Sequence, residues 1–294
     1  MSEVLYLIQQ NIYIQYFIII FFGLFIGSLM NVFIYRLPIM AMYENALLVK
    51  NNAKLLHSDM EKFLDRYKNF NLFFPDSTCP VCQHKIRWFE NIPIISYIFL
   101  KGKCSHCKTH ISIEYPIVEF SNFFLWLIAF LYFGFTIQLL LILPLLTCLL
   151  LIFMIDLKHK IIFDSKHIFI AFIGLILIDQ SYILGDISNK IITSFIFYFL
   201  LIVFVSAYEK IRKFEEDIFG RGDIKLLSVI LLYMNFYEFL NFLILSIILG
   251  LFTFLVLKLL NKFNYNKEIP FAPMIVVSFI LFIFDVKLNF ISIY

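Results

Sequence analysis

Two carboxylates and four thiols are the groups in this chain whose types and spacing could do chemistry. Asp156 closes the apolar run Leu149-Leu150-Leu151-Ile152-Phe153-Met154-Ile155. Asp223 ends Gly220-Arg221-Gly222-Asp223, which follows the charged stretch Tyr208 to Asp217 and opens the apolar stretch Ile224 to Tyr233. An acid at a boundary between water and lipid is costly unless it is paired, protonated or at work. The two glycines let other backbone, or a substrate strand, approach closely. A plain structural use exists: an Asp at a helix N-terminus satisfies free amides. The chemical use is a facing pair. Like charges held close cannot both ionise cheaply, so such a pair shares one proton. One carboxylate then activates water while the protonated partner polarises a scissile carbonyl.

The cysteines form two pairs, Cys79-Pro-Val-Cys82 and Cys104-Ser-His-Cys107, in a basic, polar block; Cys148 stands alone in an apolar run. Each C-x-x-C can form a tight knuckle, and two knuckles complete a closed tetrahedral four-sulfur site, which is structural rather than catalytic. Thiolate-only tetrahedral sites suit zinc or iron, and zinc is the expected ion. Disulfides are the competing use; a reducing compartment disfavours them. His84, His106 and His110 lie nearby and are expected to be solvated.

The elements that must position these groups are helices in lipid. The chain has 294 residues, of which 62% are hydrophobic and 15% charged. Soluble domains hold about 45–50% apolar and about 25% charged residues. The composition therefore predicts an all-α polytopic membrane protein. The net charge of +3 gives no reason to expect nucleic acid as a partner. Residues 11–35 read as an uncleaved first span. No basic region precedes the run, it is too long for a signal core, and no small-x-small site follows. Residues 36–115 form the only sizeable polar block. Within it, Leu47, Leu48, Leu55, Leu56, Met60, Phe63 and Leu64 suit an amphipathic helix over Glu44 to Phe70. After Pro116, apolar segments fall at about 117–135, 137–155, 167–184, 190–207, 223–237, 239–260 and 271–290. With the first, that makes about eight transmembrane helices. The expected domains are 1–35 as the first span, 36–116 as a cytoplasmic four-cysteine zinc domain, and 117–294 as a seven-helix membrane domain.

Lys and Arg set the orientation. If 36–115 is cytoplasmic, so are the loops at 156–166, 208–225 and 258–268, and of the 24 Lys and Arg only Lys190 and Lys287 fall outside, a ratio of 22 to 2. This is a clear positive-inside pattern with the N-terminus outside. It brings Asp156 and Asp223 to the same cytoplasmic face at similar depth. Asp179, Asp186 and Asp285 lie toward the other side, and Asp164, beside Lys166 and His167, is expected to help start the next helix.

With these pieces in order, the chain resembles the type IV prepilin peptidases, bifunctional leader peptidase/N-methyltransferases of bacterial inner membranes. The resemblance covers nearly the whole chain. It is carried by Gly27-Ser28-Leu29-Met30-Asn31-Val32, Tyr35-Arg36-Leu37-Pro38, Phe70-Asn71-Leu72, Pro75 and the first cysteine pair. Asn91-Ile92-Pro93, Ser96-Tyr97, Gly102-Lys103-Cys104, Cys107, Ile111-Ser112, Tyr115-Pro116 and Val118-Glu119 follow. Ile155-Asp156-Leu157, Gly220 to Leu226 and Ile269-Pro270-Phe271-Ala272-Pro273 complete it. The resemblance implies cleavage of a basic leader after glycine from type IV prepilins and type II secretion pseudopilins at the cytoplasmic face. It implies methylation of the new N-terminus with S-adenosyl-L-methionine. It maps the two catalytic aspartates onto Asp156 and Asp223 and places the second activity in the cysteine-bearing block, since family members lacking that block lack methyl transfer. No glycine-rich nucleotide loop of the soluble kind marks where the methyl donor binds.

The sequence departs from the family in two places. Phe163 stands where Ile-Pro-Asp is usual, which would loosen the start of the next helix, and Asp217 stands where relatives carry glutamate. Three other readings have distinct signatures. A presenilin-type protease shares Gly-x-Gly-Asp but lacks the cysteine module. A cation or proton transporter would place its acids near the midplane on broken helices. A scaffold docked through the metal module would tolerate Asp156→Asn.

Overall fold

The computed structural model describes residues 10–52, 58–212, 219–260 and 270–291. The apolar runs all become helices, because a chain in lipid must satisfy its backbone hydrogen bonds internally. The helices are α1 Ile12–Asn52, α2 Ser58–Tyr67, α3 Ile95–Phe99, α4 Glu114–Phe133, α5 Ile137–His159 and α6 Asp164–Asp179. They continue as α7 Ile187–Arg212, α8 Arg221–Ile230, α9 Phe236–Leu259 and α10 Ala272–Ile291. Two 3-10 turns, Trp88–Asn91 and Leu231–Tyr233, complete the order. Among the described residues there are no strands, only two isolated bridges.

Five helices, α1, α4, α5, α7 and α9, are long and apolar enough to cross a membrane. The chain is therefore a multi-spanning membrane protein. Two other apolar segments form shorter helices, α6 and α8. The 223–237 segment becomes α8, ten residues followed by a three-residue 3-10 turn. Ten helical residues rise about 15 Å, half the roughly 30 Å hydrocarbon thickness. The first span also differs from expectation. It does not stop near residue 35 but runs through Pro38 to Asn52 as one helix of 41 residues. Pro38 removes a single hydrogen bond, and the good helix formers Met40 to Leu48 resume beyond it. The predicted amphipathic helix is accordingly split. Its first part belongs to α1 and its last to α2, where Leu64 is buried; Leu55 and Leu56 lie outside the described residues.

The chain packs as two compact units, 1–131 and 132–294. In the first, α1 lies against the N-terminal end of α4. A Cβ on Gly27 would stand 2.8 Å from the Cα of Glu119, so the backbones touch there. Asn122 donates to the Gly23 carbonyl at 2.8 Å. Buried Arg36 donates to the carbonyls of Asn71 at 2.8 Å and Pro75 at 2.6 Å, tying that stretch of the polar block back onto α1.

In the second unit the core is α5, whose Leu139, Leu145, Leu146, Leu149, Ile152 and Ile155 are buried. α5 packs on α6 and α10, and the short α8 packs against α6, α7 and α10. Gly174 of α6 makes room for Tyr233, where a Cβ would lie 2.9 Å from the ring, and the Tyr233 hydroxyl donates to the Ile170 carbonyl. Buried Lys190 donates to the Met234 carbonyl at 2.7 Å, satisfying backbone left free where the helical run after α8 ends. These contacts hold α8 rigidly inside the unit, and α8 carries Asp223.

Candidate functional site: a carboxylate pair and a four-thiol cluster

Asp156 sits in the last turn of α5. Lys160, in the left-handed conformation at φ 54°, ends that helix by donating its amide to the Asp156 carbonyl at 3.0 Å. The carboxylate is only 5% exposed, and the amide of Ala272, the first residue of α10, interacts with it. Asp223 sits in the first turn of α8, whose N-cap is Gly220. A helix N-terminus favours a negative group there. Asp156 and Asp223 interact electrostatically. Each keeps one buried carboxylate oxygen, Oδ2 of Asp156 and Oδ1 of Asp223, without a hydrogen-bond partner within the protein. Two acids from separate helix ends thus lie within electrostatic reach of each other, each with a buried oxygen open to a proton or a water.

The surrounding residues explain how the pair is held. Gly220 lies directly under the Asp223 carboxylate. Gly222 lies against Ile162, whose Cβ would be 3.1 Å from an added methyl. The ring of His167, buried in α6, is 3.1 Å from the Gly222 carbonyl through Nε2. Lys225 donates to Asp164 at 2.7 Å. Phe219 and Phe271, each just ahead of a helix that presents the site, meet edge to face at 5.9 Å between centroids.

Asp164 is the first residue of α6, exposed and paired with Lys225, as the expectation of a helix-starting acid had it. The backbone at Phe163 has φ −80°, within reach of the angle proline would impose, so the substitution leaves the local shape intact. Asp217 and Ile269 lie outside the described residues. Sequence reasoning passed over His167 as a neighbour of Asp164. Its only signal was a polar residue opening an apolar run.

In the other unit, Cys79, Cys82, Cys104 and Cys107 gather with their sulfurs all within 4.8 Å of one another. The two knuckles are built alike. The Cys79 amide donates to the His84 carbonyl at 2.9 Å, and the Cys104 amide to that of Thr109 at 2.8 Å. The residue after the second cysteine takes positive φ in both, 58° at Gln83 and 61° at Lys108. All four thiols are free of disulfide. The sulfurs of Cys79 and Cys107 lie 3.8 Å apart and those of Cys82 and Cys104 4.0 Å apart. A tetrahedral ion with metal–sulfur bonds of about 2.3 Å places its ligands about 3.8 Å apart, so the donor set fits zinc. The Thr109 hydroxyl, 3.2 Å away, holds the Cys107 thiol down at about 6, which favours the ligating thiolate. His84 and His106 stack on each other at 5.1 Å rather than joining the cluster.

Fold and site together define a helical membrane protein with a four-thiol cluster that could hold a metal ion in one unit and a pair of buried carboxylates in the other. Residues 21–133 match the Bacterial Peptidase A24 N-terminal domain, and residues 143–255 match the Type IV leader peptidase family. The chain is similar to the prepilin leader peptidase/N-methyltransferase of Legionella pneumophila, 31% identical over 92% of this chain and 91% of that one. The protein of the same name from Vibrio cholerae is 33% identical over 95% of this chain and 100% of its own length. That from Stutzerimonas stutzeri is 32% identical over 87% and 86%. No solved structure matches. The chain belongs to the prepilin leader peptidase/N-methyltransferase family.

Proposed function

We propose that this protein is a two-step processing enzyme of the bacterial inner membrane. It removes the basic leader of type IV prepilins and type II secretion pseudopilins after glycine, then methylates the new N-terminus with S-adenosyl-L-methionine. The observation that carries the peptidase reading is the convergence of Asp156 and Asp223, each with an unpartnered buried oxygen. The pair shares one proton. The ionised acid takes a proton from water as the water oxygen attacks the scissile carbonyl, and the protonated acid donates to the carbonyl oxygen. Collapse of the adduct breaks the C–N bond as the acid that took the water's proton passes it to the departing amine, while a hydroxyl of the adduct returns its proton to the other carboxylate and restores the shared proton. The chemistry is that of an aspartic endopeptidase.

The substrate's shape suits this placement. A prepilin carries a basic leader followed by an apolar helix, so its scissile bond lies at the cytoplasmic boundary. Internal hydrogen bonds hide a helical backbone, and a glycine before the cut lowers the cost of unwinding it. The charge distribution supports an orientation with the N-terminus periplasmic and both 36–116 and the aspartates cytoplasmic. Residues 36–116 form the module stabilised by zinc at Cys79, Cys82, Cys104 and Cys107. Residues 117–294 carry the peptidase. S-adenosyl-L-methionine, when bound, supplies the methyl group to the amine that cleavage exposes. The four cysteines keep the module folded rather than contact the donor.

The test is mass spectrometry of a purified prepilin after incubation with the reconstituted enzyme. Wild type should release the leader and, only with S-adenosyl-L-methionine, yield a product heavier by one methyl group. Asp156→Asn should leave prepilin uncut yet still methylate a pilin supplied already cut. Normal cutting by Asp156→Asn would overturn the reading.

A further inference from the structure

The polar module carries a set of apolar side chains that the protein does not cover. Trp88 is 81% exposed, Ile98 67% and Phe99 83%. They belong to two neighbouring elements, the 3-10 turn Trp88–Asn91 and α3 Ile95–Phe99, which pack on each other. Large apolar groups left open on one small structure mark an interaction surface.

One hydrogen bond says what they meet. The carboxylate of Glu119 accepts the backbone amide of Ile94, the residue before α3, at 2.7 Å. Ile94 sits at φ 61°, a conformation a β-branched residue rarely adopts, so this junction is held in place rather than loosely draped. Glu119 lies five residues into α4, a 20-residue membrane-crossing helix that begins at Glu114. Twenty helical residues rise about 30 Å, the thickness of the hydrocarbon core. Five residues rise about 7.5 Å. α3 therefore starts at the level of the boundary between headgroups and acyl chains, where interfacial helices bury their apolar sides by about 5–10 Å.

The charges agree. Between residues 87 and 103 the groups charged at neutral pH are Arg87, Glu90, Lys101 and Lys103. Glu90 turns its carboxylate to the Arg87 amide at 2.9 Å, and three cations against one anion leave this segment with a net charge of +2. Lys and Arg reach from such positions to phosphates while their stems lie on apolar surface. Tryptophan is enriched at that depth.

We propose that the 3-10 turn and α3 rest in the phospholipid surface, with Trp88, Ile98 and Phe99 entering the bilayer and Arg87, Lys101 and Lys103 on headgroup phosphates. The module is thereby moored against the membrane rather than suspended in the cytoplasm. This goes beyond the catalytic reading and depends only on α4 crossing the bilayer.

The experiment uses the full chain in vesicles of phosphatidylcholine and phosphatidylglycerol, with and without bromine on the acyl chains near the headgroup. The Trp88 signal is the difference between the protein and its W88F variant, so that Trp126 cancels; W126F gives the same signal directly if W88F does not fold. F99W in the W88F background probes α3. The expected result is blue-shifted Trp88 emission that brominated lipid quenches, and the same loss for F99W. Emission at the wavelength of indole in water, unquenched by bromine, would overturn the mooring. A shift that arises only when prepilin is added would also overturn it, and would assign the face to substrate.

Discussion

A methyl group on Gly220 would stand 2.8 Å from Oδ2 of Asp223. Real side-chain contacts do not come so close, so the glycine is the floor on which the Asp223 carboxylate rests. Its φ of −57° is open to any residue, and backbone freedom is not the reason for glycine here. Gly220→Ala should fold normally, because the atom displaced is the end of a side chain. The displaced carboxylate should lose alignment with Asp156. Misplacement by about 1 Å can cost on the order of 10²-fold in rate. Leader release should fall by that order, while methylation of a pilin supplied already cut is unchanged. Paired assays of the two activities check it.

His167 supports the same loop from the other side, through Nε2 at 3.1 Å from the Gly222 carbonyl. Removing the ring takes one partner from a carbonyl that also lies within α8, at about 0.5–1.5 kcal/mol. His167→Ala should lower thermal stability by that amount and slow cleavage. His167→Gln, which can still present an N–H, should recover part of both. Thermal unfolding in detergent beside cleavage kinetics reads the two effects.

The thiol cluster should be all or nothing. Cys104→Ser leaves three ligands, and the binding energy of a structural zinc is folding energy. The variant should lose its zinc, measured by elemental analysis. Proteolysis should then cut within 36–116 while the membrane helices stay inserted. Full zinc content and a protected module in that variant would remove the metal assignment.

The turn that presents Trp88 has a pH dependence of known sign. Its Glu90 carboxylate is held below the usual range, chiefly by the Arg87 amide. A depressed folded value contributes stability above the unfolded pKa of about 4.3 and loses it as pH falls through the folded one. Wild type and Glu90→Gln should therefore differ in Trp88 emission at pH 7, and the difference should close below about pH 4.

Much of this was legible in the sequence because lipid is a strict solvent. Runs such as Leu139 to Ile155 have no alternative to helix, and two C-x-x-C pairs in a polar block have few uses. Asp156 and Asp223 stood out because acids at apolar boundaries need a reason. What stayed hidden depends on contacts distant in the chain. Nothing around His167 names Gly222 as its partner, 55 residues on. Nothing around Glu119 names the Ile94 amide. Hydropathy counted the segment at 223–237 among the spans, while packing makes it a short helix inside the second unit. The expected first span ends at residue 35, but the single hydrogen bond lost at Pro38 does not stop a helix whose next residues favour continuing.

The central claim is that Asp156 and Asp223 act as one unit, and a double-mutant cycle tests it most directly. Initial rates of leader release are measured for wild type, Asp156→Asn, Asp223→Asn and the double variant, all verified as folded. Residues that share one proton are not additive in their effects. Each single variant should therefore lose leader release, and the double variant should be no worse than either. Wild-type rates from either single variant, or losses that multiply in the double, would contradict the shared-proton pair.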